Sequence, residues 1–297
     1  MNSLNFVQPK QEHLGFPTAP PEAPARQASQ PVLMMVTPQL AQQWLERNVH
    51  NRPLSEITVI AYALDMLEGR WQYNGAAIQF DSSGKLIDGQ HRLKACVEAG
   101  VSFQAIVVFD LPPEAMRTID IGKPRTSGHI AQLEGAQNAA CACAVAGLVI
   151  LHQRHGIRHM NDPRCQPTKT QVVETVGKLP GLDAAVAQAK LLARKIAAPR
   201  LVGFCWYVFA EQNRKLADRF FNELASGLSL SPTNPVYHLR ERLLADRQAK
   251  AKLQQLEVVA LFFKAWMYYR DDRPLRRLFW KSDGAAPEKF PDIGGAL

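Results

Sequence analysis

Asp88, Gly89, Gln90, His91 and Arg92 stand in a row where an apolar strand gives way to a helix, placing a carboxylate, an imidazole and a guanidinium at one turn. Leu86 and Ile87 read as the strand's end and Asp88-Gly89 as turn and helix cap. Leu93, Ala95, Cys96 and Val97 then begin a helix that stops at Gly100. In such a junction the backbone N–H groups of Gly89, Gln90 and His91 are free and converge on one point, where the helix macrodipole favours negative charge. Arg92 offers a planar fork for phosphate oxygens, and His91 can donate, accept or relay a proton. The chemistry suited to this spacing is capture of a phosphate group. A plainer reading has Asp88 capping a surface helix with His91 and Arg92 in solvent.

The flanking pattern supplies the elements that would hold the turn. Upstream, Ile57, Ile60, Leu64 and Leu67 share one face of a helix over Ser55 to Leu67, and Gly69 ends it. Trp71 and Tyr73 lead to a strand over Ala76 to Phe80 and a turn over Asp81 to Gly84. A second strand is expected over Gln104 to Phe109. A broken loop follows, with Pro112-Pro113 starting a short helix and Asp120, Lys123 and Arg125 beyond it. These three can reach back to the pocket, Asp120 holding Mg²⁺ or a ribose and the two cations holding phosphate. Alternatively the loop is a linking turn in which Asp120 and Arg125 pair with each other.

The order of these elements around Ile87-Asp88-Gly89-Gln90-His91-Arg92-Leu93 resembles the ParB/sulfiredoxin superfamily, most closely the phage- or plasmid-encoded ParB-like proteins. In that group a helix ending in a Met66...Gly69-Arg70-Trp71 pattern precedes the strand, the glycine turn and the box. The resemblance covers roughly residues 33 to 128, and its specific part is the box. It implies a compact α/β domain that holds a nucleoside triphosphate, CTP or ATP, with Gly89, Gln90, His91 and Arg92 as the phosphate contacts. Two features depart from the pattern. Sulfiredoxin chemistry needs a reactive cysteine inside the box, where this chain has Gln90 and His91; Cys96 reads as a small core residue. Partition ParB proteins carry a helix-turn-helix downstream, and none is evident after residue 130.

The expected fold is α+β: a disordered Pro-rich tail over residues 1–31, a ParB/sulfiredoxin-like nucleotide-binding domain over 32–128, and a mostly helical basic domain over 129–297. Charge divides along the same line. Residues 1–129 hold 11 Lys and Arg against 12 Asp and Glu, whereas residues 130–297 hold 24 against 15. The cations of the helical half, Arg270, Arg273, Arg276 and Arg277 above all, are the expected nucleic-acid contacts, and DNA is the expected partner. Trp266 and Phe262 are expected in the core. No apolar run approaches the ~20 residues that span a bilayer, and no signal-peptide pattern opens the chain. A cytoplasmic protein with reduced cysteines is expected, and a homodimer is allowed. His152, His155, His159 and Cys165 invite a metal reading. Gly156 interrupts their helix and two arginines crowd it, so a basic helix end is expected instead and no metal site.

Two functions fit. The first is a DNA-associated protein with a nucleotide at Asp88–Arg92 acting as a switch. The second is an enzyme in the same pocket, a ParB-like nuclease or NTPase or a small-molecule phosphotransferase, with Asp88 or His91 as general base and Asp120, Asp110 or Glu56 as a second carboxylate.

Overall fold

The computed structural model describes residues 30–49, 51–119, 125–192, 196–228, 230–282 and 287–294, and its architecture is α+β. The first part contains β1 (Val32–Val36), α1 (Pro38–Leu45), α2 (Glu56–Leu67), β2 (Ala77–Asp81), β3 (Leu86–Asp88), α3 (Gln90–Ala99) and β4 (Phe103–Leu111). The strands lie in the order β1-β4-β2-β3; β2 and β4 run parallel, and the two edge strands are antiparallel to their neighbours. β3 is therefore an edge strand.

Local chemistry accounts for these elements. Thr37 accepts the Leu40 N–H at the start of α1, and Ser55 accepts the Thr58 N–H at the start of α2. Trp44, Val59, Ile78, Phe80, Leu93 and Val107 form a core between the helices and the sheet, with Phe80 stacked on Phe109 at 5.1 Å. Gly89 has φ +104°, and a Cβ there would stand 3.1 Å from Ile78 Cγ1, so only glycine lets α3 lie this close to β2.

The second part is helical: α4 (Ser127–Leu133), α5 (Ala139–His155), α6 (Lys169–Val176), α7 (Leu182–Leu192), α8 (Pro199–Ser226), α9 (Pro235–Gln248) and α10 (Gln255–Arg270). Between α5 and α6 the chain makes two 3₁₀ turns, Ile157–His159 and Pro163–Cys165. α8 is two helices in series. Asn213 is extended, and its side chain accepts the Leu216 N–H to start the second. Trp266 and Phe262 are fully buried, Trp266 stacked on Phe209 at 4.6 Å. Among the described residues no helix is long and apolar enough to cross a membrane.

A buried polar clamp joins the two parts. Asp65 on α2 accepts from the hydroxyls of Thr168 (2.7 Å) and Thr170 (3.1 Å) at the start of α6, and from Arg70 Nε at 3.2 Å. A carboxylate at a helix N-terminus is favoured by the exposed N–H dipoles there. Glu68 accepts from Gln171 and pairs with Arg70, whose hydrogen bond holds its carboxyl below the usual carboxylate range.

Candidate functional site

A cavity of about 210 Å³ opens at the junction of β3 and α3, lined by Asn51, Arg52, Ile87, Asp88, Gln90, His91, Met116 and Ile119. The polar box residues meet here, and each side chain has an acceptor or donor that the sequence did not disclose.

Asp88 does not cap α3. Its Oδ1 accepts the Gly89 N–H at 2.7 Å and its Oδ2 accepts from Arg92 Nη2 at 3.0 Å, so the N-cap is Gly89, which has no side chain to cap with. The expected phosphate contact from the Gly89 N–H is thereby corrected, because that donor is already used. Arg92 is corrected too. Its guanidinium turns back along the sheet, Nη1 donating to Ala76 O and Nη2 to Ala77 O, both at 2.7 Å, and its side chain is 11% exposed. A planar fork matches two successive carbonyls as well as it matches a phosphate, and here it ties α3 to β2.

The Gln90 side chain is also structural, contrary to expectation. Buried at 4% exposure, it donates to Arg52 O and accepts from Asn48 Nδ2, both at 2.9 Å. Asn51 Nδ2 donates to Leu86 O at 2.7 Å, and Leu86 N–H donates to Arg47 O at 3.1 Å. This network zips the loop before α2 onto β3 and brings Asn51 and Arg52 to the cleft. Sequence reasoning missed both. Their available signal was a cluster of turn-forming polar residues, Asn48, Asn51 and Arg52-Pro53, just ahead of the α2 cap.

His91 Nε2 accepts the Ser55 N–H at 3.0 Å, so the ring proton sits on Nδ1. Burial, and then the charge of Arg52, push its pKa below the ordinary 6.5, with Asp88 opposing. The imidazole is neutral at pH 7. As the first helical residues, Gln90, His91 and Arg92 keep backbone N–H groups without intrahelical acceptors. The cleft therefore offers a helix N-terminus and the Arg52 cation, whereas the Asn51 amide is spent on Leu86 O and, at 2.6 Å, on Asn48 Oδ1. At about 210 Å³ it has the size of a phosphate or diphosphate rather than of a whole nucleotide.

The second cluster divides. Met116 and Ile119, on and just after the 3₁₀ turn Pro113–Thr118, close one side of the cleft. Asp120 and Lys123 lie outside the described residues. Arg125 is exposed, is not among the lining residues, and its carbonyl accepts from Lys169 Nζ at 3.0 Å. Asp110 and Glu56 are exposed and do not line the cleft either.

Cys96 is the core residue expected. Its thiol donates to Val101 O at 3.1 Å, and burial pushes its pKa up to about 11, leaving no thiolate for sulfiredoxin-type attack.

In the helical half, Arg270 is corrected: its Nη1 donates to Ile293 O at 2.6 Å and its Nε to Asp271, so it clamps the segment 287–294. Arg273, Arg276 and Arg277 are exposed, between buried anchors Leu275 and Leu278. Arg273 lies 4.4 Å over the Tyr268 ring and Arg277 5.4 Å from that of Phe279. A larger cavity, about 510 Å³, lies between α5, α8, α10 and residues 289–294. Its lining mixes apolar Val208, Phe263 and Phe290 with polar Arg158, Gln212 and Lys289, and His152 Nδ1 accepts the Ile157 N–H at 3.1 Å.

Compared with models of known protein families and with curated proteins, the chain matches none.

Proposed function

We propose that the chain binds a nucleoside triphosphate, CTP or ATP, by its phosphates at the cleft before α3, and DNA through the exposed arginines after α10. The observation that carries the first half is the cleft itself: a helix start held open by Gly89 at φ +104°, with Arg52 and the neutral imidazole of His91 around it. The ParB/sulfiredoxin-like order of strand, glycine turn and box supports the same reading. The phosphate contacts are then the backbone N–H groups of Gln90 and His91 with Arg52, while Arg92 and the Gln90 side chain hold the frame. The enzyme reading is weaker, because Asp88 is committed to Gly89 and Arg92 and so is poorly placed as a general base.

Calorimetric titration with CTP, ATP and GTP, with and without Mg²⁺, tests the nucleotide half. Arg52→Ala is expected to weaken binding by about 1.5 to 3 kcal/mol, the scale of a lost charged hydrogen bond. No heat with any of the three nucleotides removes the reading. For DNA, replacing Arg273, Arg276 and Arg277 together by alanine should lower the slope of log affinity against log salt by up to about three, one per phosphate contact. An unchanged slope rules out this face.

A further inference from the structure

We propose that His159, Asp162 and Cys165 form a site for a borderline divalent transition metal, zinc-like in its preferences, with a water as the fourth ligand. One donor atom from each residue lies within 4.8 Å of the other two, and all three side chains are partly buried. The residues recur at a spacing of three, and the backbone explains why they converge. Asp162 N–H donates to His159 O at 2.9 Å, and Cys165 N–H donates to Asp162 O at 3.1 Å. These i→i+3 hydrogen bonds fold the segment into two successive turns, joined at the extended Asp162 that caps the second, and the folded-back chain brings an imidazole, a carboxylate and a thiol together.

The scaffold under them is firm. Ile157 and Met160 are buried in the helical core, and Gln166 Nε2 staples the turn by donating to Met160 O at 2.9 Å and Asp162 O at 3.3 Å. The turn at Pro163–Cys165 also lies against α2, beside the clamp that joins the two parts of the chain.

The donor set selects the ion. Calcium and magnesium take oxygen ligands, whereas nitrogen, oxygen and sulfur together suit zinc or cobalt, and three protein ligands leave one tetrahedral position open. Tetrahedral zinc needs its donors about 3.3 to 3.8 Å apart, so side-chain rotations that move them by about an ångström complete the shell. Binding releases the Cys165 thiol proton to solvent; thiolate and carboxylate then neutralise the dication. Arg158 Nε donates to His159 Nε2 at 3.1 Å, Arg164 Nε stands 3.5 Å from Asp162 Oδ1, and that oxygen also accepts the Arg164 backbone N–H at 2.9 Å, which leaves Asp162 Oδ2 as the oxygen for the ion. Both arginine side chains are free to swing into solvent, Arg164 being 70% exposed.

The test is titration of the reduced full-length protein with Co²⁺ alone, followed by Zn²⁺. One equivalent of Co²⁺ should give a near-ultraviolet thiolate-to-cobalt charge-transfer band, and Zn²⁺ should abolish it. Cys165→Ser should lose the band, while the control Cys141→Ser keeps it. His159→Gln and Asp162→Asn should each weaken Co²⁺ binding by more than the roughly tenfold that loss of a supporting contact costs. Circular dichroism reports that each variant is folded, and a second replacement, Cys165→Ala, guards against a misfolded serine variant. No band in the wild type, a band that survives Cys165→Ser, or full affinity in both His159→Gln and Asp162→Asn overturns the site.

Discussion

Replacing Arg92 separates a structural role from a phosphate-binding one. Its guanidinium makes three hydrogen bonds, to the carbonyls of Ala76 and Ala77 and to Asp88, from a side chain that is 11% exposed. Hydrogen bonds to a charged group contribute about 1.5 to 3 kcal/mol each when shielded. Ala76 is exposed and Asp88 partly so, and water can replace the lost partner at both. Those two bonds belong at the low end or below it, which leaves about 2 to 4 kcal/mol for Arg92→Ala in total. Arg92→Lys keeps one donor and the charge but not the fork, and should cost about half as much. Urea unfolding followed by fluorescence reads this directly, because Trp44 and Trp71 both pack into the sheet domain. Amide exchange at Ala77–Asp81 should quicken along with it, since the same carbonyls anchor the start of β2. A variant whose stability stays within about 0.5 kcal/mol of wild type while nucleotide binding disappears would refute the reasoning and return Arg92 to the phosphate.

Asp65→Ala leaves Arg70, Thr168 and Thr170 without their shared acceptor and should cost about 3 to 5 kcal/mol, the range for breaking a buried ion pair, with limited proteolysis between the two parts of the chain as its readout. Gly89→Ala forces a side chain into a left-handed conformation and against Ile78, and should lose about 1 to 3 kcal/mol in a thermal or urea melt. His91 and His152 both have pKa values lowered by burial, and both accept a backbone N–H that protonation would expel. Their contribution to stability is therefore complete above the ordinary 6.5 and is lost as pH falls through the lower folded values. A stability profile flat from pH 7 to 5, or one unchanged by His91→Gln with His152→Gln, would contradict that assignment.

The elements were legible because their signals are local. A Ser55 cap and glycines at 69 and 100 set helix limits within a residue or so, but the face expected from Ile57, Ile60, Leu64 and Leu67 is not the one packed: Ile57 and Leu67 are exposed, and Val59, Ala63 and Met66 are buried instead. The apolar, β-branched run in Gln104 to Phe109 marks β4, which extends to Phe103–Leu111. β1 was less legible: Val32–Val36 is a continuous apolar run at the sheet edge, with Val32, Leu33 and Met35 exposed, and nothing local distinguishes it from an ordered leader. The clamp between the parts was not legible at all. Asp65 sits inside an otherwise apolar helix, and its partners Thr168 and Thr170 are about a hundred residues away.

The same distinction between local and distant partners explains the site. Residue type told which groups could touch a phosphate, but a guanidinium or an amide binds whatever acceptor the fold brings first. For Arg92 the competitors are the carbonyls of Ala76 and Ala77, and for Gln90 they are the carbonyl of Arg52 and the amide of Asn48. The N–H groups of Gln90 and His91, unlike that of Gly89, which Asp88 takes, keep the direction that the helix gives them. The proposed phosphate contacts are for this reason the Gln90 and His91 N–H groups, with Arg52 in place of Arg92 as the proposed side-chain contact. The histidine run shows the converse. Spacing along one continuous helix suggested His152, His155 and His159, but Gly156, at φ +82°, ends the helix and two 3₁₀ turns follow it. The two turns, joined at extended Asp162, bring His159 together with Asp162 and Cys165 instead, so the path of the backbone decides which side chains can share an ion.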